Sequence, residues 1–91
     1  MIIFIFYKGR KKELEINKTD TVKGIMEKFF VQENIDVDKR FYTRDKFLLN
    51  IGDILLNSDP DNLNKTVDDL QLDDDDMLTL VNTEDMNAGT K

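Results

Sequence analysis

The chain opens with two alternating segments that predict a β-hairpin. Residues 2–7 are apolar at every position, so a strand here is apolar on both faces, because successive side chains of a strand point to opposite sides. Residues 12–16 place Leu14 and Ile16 on one face and glutamates on the other, which predicts a half-buried second strand. Residues 8–10 then form the turn between the two strands.

A helix of about three turns is predicted from Val22 onwards. Asp20 and Thr21 precede it with short oxygen-bearing side chains, which can accept hydrogen bonds from the free N–H groups of a first turn. Five apolar residues then recur at helical spacing and form one stripe: Val22, Ile25, Met26, Phe29 and Phe30. Asn34 suits the left-handed conformation that ends many helices.

The rest of the chain predicts three further short strands, at residues 40–44, 47–49 and 77–82. Residues 83–91 lack an apolar period and are predicted to be a flexible tail or linker. The pattern therefore favours an α+β domain over residues 1–82, in which a mixed sheet of four to five strands packs on one helix.

The spacing of several apolar segments resembles that of ubiquitin. The segments that carry the resemblance are Met1–Ile5, Leu14–Ile16, Asp20–Val22, Asp69–Leu70, Leu72 and Leu78–Val81. The resemblance implies a ubiquitin-like β-grasp fold with an insertion at residues 50–64, after the fourth strand.

Composition and charge exclude several classes of functional site and partner. The chain has no cysteine and no histidine, which excludes disulfides, thiolate or imidazole metal sites and most nucleophilic triads. We therefore expect no catalytic residue, cofactor, metal or small-molecule substrate. A net charge of −6 disfavours nucleic acid as a partner. No apolar run spans a bilayer, so we expect a soluble protein of the cytoplasm or nucleus without a membrane partner.

The resemblance also places a partner-binding surface on the outer face of the sheet. Four positions, Lys8, Thr43, Thr79 and Val81, match those of the apolar patch of ubiquitin, and among them Val81 alone is apolar. Receptors that insert an apolar helix into that patch should therefore bind this chain poorly.

The first strand adds apolar residues to the same face. Ile2, Phe4 and Phe6 point outward beside Val81, and Phe41 could join them, which would form an apolar patch of the kind that marks a partner site. Alternatively, the insertion folds back over this face with its own apolar residues, which are Ile51, Ile54, Leu55, Leu56 and Leu63.

The C-terminal residues bear on the choice between two possible functions, an interaction domain and a covalent modifier. Ubiquitin-type modifiers are conjugated through a terminal Gly-Gly, whereas here Ala88 and Gly89 precede Thr90 and Lys91. The expected function is a noncatalytic protein-interaction domain within a larger protein or polyprotein. The alternative is a covalent modifier whose end is produced by processing near Ala88 and Gly89 or by intein-like splicing.

Two polar segments complete the candidates. Asn57, Asp59, Asp61 and Asp68 imitate the oxygen spacing of a calcium loop, but they lack its central glycine and its final glutamate, which favours a solvated loop. The run at residues 73–76 is four aspartates, which indicates a solvated turn or an acidic docking element beside the last strand.

Overall fold

A computed structural model describes the backbone of residues 1–88 and the side chains of residues 1–85. Its elements are β1 (Ile2–Tyr7), β2 (Arg10–Glu15), α1 (Val22–Gln32), β3 (Phe47–Ile51), β4 (Ile54–Leu55), β5 (Met77–Asn82) and α2 (Thr83–Ala88). The strands form one five-stranded sheet in the order β2-β1-β5-β3-β4. β1 and β5 are parallel, and the other neighbours are antiparallel. This small α+β domain, with a mixed sheet and one main helix, is compatible with a β-grasp fold.

The predicted hairpin is confirmed, although its second strand begins two residues earlier, at Arg10. Lys8 and Gly9 both have positive φ, at 50° and 76°, as a tight two-residue hairpin turn requires. The register pairs Ile3 with Leu14, so both lie on the inner face. The amine of Met1 donates to the carbonyl of Ile16 at 3.0 Å, which extends the pairing past the strand ends.

The helix forms where its polar and apolar residues predict it. Thr21 is the N-cap, and its Oγ1 accepts a hydrogen bond from the N–H of Gly24 at 3.0 Å. All five residues of the predicted apolar stripe are buried against the sheet. Asn34 has φ of 56°, and the N–H of Ile35 donates back to the carbonyl of Phe30 at 2.8 Å, which ends the helix in the predicted left-handed conformation.

The strand predicted at residues 40–44 is wrong. This segment is a 3₁₀ turn, Lys39–Phe41, followed by further turns. The turn forms because the side chain of Asp38 accepts hydrogen bonds from the backbone N–H and the guanidinium of Arg40. These local hydrogen bonds stabilise a turn in place of strand pairing. Tyr42 is buried within this connection, whereas Phe41 is 37% exposed.

The segment predicted as an insertion at residues 50–64 is largely ordered structure. Residues 50–55 complete the β3–β4 hairpin, whose turn contains Gly52 at φ of 56°. A 3₁₀ turn, Asn62–Asn64, follows and contacts α1. The apolar residues of this segment therefore pack largely on the helix side of the sheet.

One hydrophobic core lies between the sheet and α1. Its members include Ile3 and Ile5 from β1, Phe29 and Phe30 from α1, and Leu80 from β5. Phe29 and Phe30 form edge contacts with each other at a ring separation of 6.4 Å. Burial of this stripe orients the opposite face of the sheet toward solvent, and that face carries the candidate site.

The segment predicted as a flexible tail or linker begins with a short helix. Thr83–Ala88 forms the short helix α2, and its first residue is held by the N–H of Thr83, which donates to the carbonyl of Lys46 at 2.8 Å. Among the described residues, no helix has the length and apolar character needed to cross a membrane.

Candidate functional site

The candidate site is the outer sheet face, which we define as the outward-pointing residues of the three central strands. These residues are Ile2, Phe4 and Phe6 of β1, Met77, Thr79 and Val81 of β5, and Leu48 and Asn50 of β3. The alternation of β1 sets its first three members, because Ile3 and Ile5 occupy the inner face at 0% and 1% exposure.

Parallel pairing between β1 and β5 brings the predicted residues together. Phe4 lies opposite Met77, and Phe6 lies opposite Thr79. Phe6 is 41% exposed and Met77 is 43% exposed, so the central pair of strands presents accessible apolar surface. Val81 continues this row along β5 and is half-buried.

Thr43 does not belong to this face. It lies in the turn before β3, where its hydroxyl donates to a carboxylate oxygen of Asp45 at 3.5 Å. The β3 residue opposite Thr79 is Asn50, and the residue opposite Val81 is Leu48. The prediction fails at Thr43 because it assigned the third strand to the wrong segment.

Met77 and Leu48 are members of the face that the sequence prediction missed. Both could have been found from the period of two, since Met77 precedes Thr79 by two positions and Leu48 alternates with the buried Phe47 and Leu49. Their addition makes the face more apolar than the predicted set.

The insertion does not close over this surface. Leu56 belongs to the core, Ile51 and Leu63 pack against that core, and Ile54 is 65% exposed. Leu55 borders the outer face from the edge strand, because it pairs with Asn50. The alternative in which the insertion buries Phe4 and Phe6 is therefore wrong.

A shallow groove of about 240 Å³ lies at one end of the face. Phe6, Thr79 and Val81 line it from the sheet, Lys8 lines it from the hairpin, and Asp85 lines it from α2. The groove forms because β5 continues past the end of β1 while the chain of β1 turns into the hairpin. It is large enough to receive one apolar side chain of a partner.

Charge is distributed unevenly around the apolar residues. Lys11 places its Nζ 4.3 Å from the centre of the Phe4 ring, which is a cation–π distance. At the opposite end from the groove, Ile2 pairs with Glu15 and Phe4 with Glu13, so both glutamates flank the face. Both are exposed.

The acidic run at residues 73–76 is attached to the same end of the sheet. The N–H of Ile2 donates to a carboxylate oxygen of Asp74 at 2.9 Å, and the N–H of Asp75 donates to the carbonyl of Ile2 at 2.8 Å. The N–H of Phe4 donates to the carbonyl of Asp76 at 2.9 Å. This segment is therefore a fixed turn with exposed carboxylates at residues 73–75.

The residues that imitate a calcium loop do not converge. Asn57 is fully buried, its amide oxygen accepts from the N–H of Leu49, and its amide nitrogen donates to the carbonyls of Tyr42 and Phe47. Asp59 accepts from the N–H of Asn62. Among the described residues, no group of three carboxylate, thiol or imidazole side chains is placed to hold a metal ion.

Of the two C-terminal candidates, Ala88 and Gly89, the structure describes only the backbone of Ala88. Ala88 is the last residue of α2, and Gly89 lies outside the described residues. The chain matches none of the family models and none of the curated proteins with which we compared it. Fold and surface define a small α+β domain with an open, largely apolar sheet face.

Proposed function

We propose that this chain is a noncatalytic protein-interaction domain of the ubiquitin-like type, a module of a larger protein or polyprotein, which binds its partner through the outer sheet face. The observation that carries the proposal is the asymmetry of β1. Ile5 is 1% exposed under the helix, whereas the adjacent Phe6 is 41% exposed although it is equally apolar. Phe6 shares this face with Met77, which is 43% exposed, and apolar residues clustered on a surface are typical of protein interaction sites.

The chemistry of the face supports a protein partner. Phe4 and Phe6 are rigid aromatic side chains, which commonly supply the strongest contacts of protein interfaces. The half-buried Thr79 and Asn50 beside them offer hydrogen-bonding groups near the apolar centre. The net charge of −6 opposes binding to nucleic acid, and a partner of the cytoplasm or nucleus fits the expected location.

The test is affinity capture from an extract of the source cells with three immobilised forms of the chain. The first is the wild type, and the second is Phe4→Ala/Phe6→Ala, with its fold verified by circular dichroism. The third is the matched control Val31→Ala/Ile54→Ala, which removes apolar side chains that are 81% and 65% exposed but lie outside the face.

We expect specific protein partners to be retained by the wild type and the control but lost from Phe4→Ala/Phe6→Ala. Partners that depend on Val31 and Ile54 instead would place the interaction elsewhere and contradict the proposal. Identical capture by all three forms would contradict it equally.

A further inference from the structure

We infer that the partner of the outer sheet face is a protein segment with apolar anchor residues at one end and lysine or arginine at the other. Its basic end lies over Glu13, Glu15 and Asp75, and its apolar end enters the groove beside Phe6. This inference rests on the proposed function and adds the chemistry and the polarity of the partner.

The acidic end of the face is built from two separate parts of the chain. The β1–β2 register places Glu13 beside Phe4 and Glu15 beside Ile2, on the outer side of the edge strand. The hydrogen bonds between Ile2 and the residues Asp74 and Asp75 fix the acidic turn at the same end. The carboxylates are therefore held next to apolar surface by the backbone of the sheet.

In the part of the chain that the structure describes, these carboxylates are not paired with cations. Within the described part of the chain, Glu13, Glu15 and the aspartates at residues 73–76 form no ion pair at 4.0 Å or less. Lys11 lies over the Phe4 ring beside this end without pairing to a carboxylate, whereas Lys8 lines the groove and Lys46 is 3.9 Å from Glu84 at the start of α2. Free carboxylates grouped at one end of an apolar surface attract a cationic ligand and repel an anionic one.

The same charges argue against a second copy of the chain as the occupant. Two copies would each bring a net charge of −6 to the contact. The lysines near the groove are offset by Glu84 and Asp85 of α2, so a two-fold arrangement would not neutralise the acidic end. A basic segment from another protein satisfies both the apolar and the acidic parts.

The strand geometry sets the spacing of the partner. Phe6 and Ile2 are four residues apart on β1, which is about 13 Å along a strand. An extended partner would therefore place its first cation about four residues from the anchor in the groove. A helical partner would need about nine residues for the same distance.

The experiment is selection of a displayed library of random 12-residue peptides on the purified chain, after depletion on Phe4→Ala/Phe6→Ala. The enriched peptides are synthesised with a fluorophore and titrated by fluorescence polarisation. We expect an aromatic or aliphatic anchor separated by the stated spacing from lysine or arginine. A version with glutamate in place of these cations should not bind.

The charge of the face is tested with Glu13→Gln/Glu15→Gln/Asp75→Asn. Asparagine tolerates the positive φ of Asp75, which is 70°. The matched control, Asp36→Asn/Asp61→Asn/Asp68→Asn, removes three exposed carboxylates outside the face. We expect about tenfold weaker peptide binding by the first variant at low salt, wild-type affinity for the control, and loss of the difference at high salt.

Three other outcomes would overturn the inference, and they differ in what they imply for the proposed function. Peptides that require Phe6 but carry no basic residue, or bind both charge variants alike, would overturn the basic partner and leave the proposed function standing. Absence of any peptide that depends on Phe4 and Phe6 would overturn both. Self-association of the free chain in analytical ultracentrifugation that Phe4→Ala/Phe6→Ala abolishes would assign the face to a second copy and overturn the inference.

Discussion

The two faces of β1 have nearly the same hydrophobicity and opposite surroundings. Ile3 and Ile5 are buried beneath α1 at 0% and 1% exposure, whereas Phe4 is half-buried and Phe6 is 41% exposed. Hydrophobic burial drives folding on the inner face. On the outer face the described chain supplies no covering element. The apolar residues of the outer face therefore contribute less to the core than those of the inner face.

The largest expected effect is the contrast between truncations on the two faces. Ile5→Ala should lower the free energy of unfolding by about 3 kcal/mol, because it leaves a cavity in a closely packed core. Phe6→Ala should cost about 1 kcal/mol or less, since its side chain is already partly in water. Urea denaturation followed by circular dichroism measures both, and equal losses would show that the outer face is part of the core.

Replacing Asn57 tests whether the stability of the inner side of the sheet also depends on buried hydrogen bonds. Asn57→Ala removes a fully buried side chain that bonds the backbone of Leu49, Tyr42 and Phe47. We expect a loss of about 2 kcal/mol in the free energy of unfolding, because these buried groups would lose their partner. The control Asn64→Ala changes an exposed asparagine nearby and should be close to neutral in the same urea titration. Similar values for the two variants would contradict the structural role of Asn57.

Asn57 also marks a limit of prediction from sequence. An asparagine followed by Ser58, Asp59 and Pro60 has the local composition of a solvated loop, and nothing in that pattern indicates burial. Its environment is created by the turn at residues 42–46 and by β3, which approach it only in the folded chain. The helix needed no such tertiary information, because its cap and apolar stripe are local.

The outer face was predictable to the extent that its strands were. The period of two placed Ile2, Phe4, Phe6, Thr79 and Val81 on one side, and the parallel β1–β5 pairing brings them together. Thr43 was misplaced because the side chain of Asp38 stabilises a local turn where alternation alone favours a strand. Whether the face was open or covered depended on the path of residues 50–64, which alternation could not determine.

Lowering the pH should reduce the stability of the folded chain through Asp20, which precedes the helix α1. Burial raises the pKa of its carboxyl, but hydrogen bonds from Lys28 and from the N–H of Asn17, with the charge of Lys28, outweigh that effect. The pKa in the folded chain therefore lies below its ordinary value of 3.8. Because the unfolded chain binds this proton more readily, the contribution to stability is present above 3.8 and is lost as the pH falls through the lower, folded value.

The measurement is the urea midpoint of the wild type and of Asp20→Asn between pH 6 and pH 2.5. We expect the wild type to be more stable at pH 6 and the difference between the two to shrink below pH 4. A difference that is independent of pH would show that Asp20 acts through the geometry of its hydrogen bonds and not through its charge.

The smallest expected effect concerns Lys11, the cation that lies over Phe4. Lys11→Gln should change the free energy of unfolding by about 0.5 kcal/mol or less, because an exposed cation–π contact contributes little. The same change removes a positive charge from beside the acidic end, so a basic amphipathic peptide should bind more tightly. Lys18→Gln removes an exposed lysine outside the face and provides the control. The affinities are measured by fluorescence polarisation. An equal gain for both variants would mean that the peptide responds to net charge alone. A gain confined to Lys11→Gln would locate the recognition at Phe4.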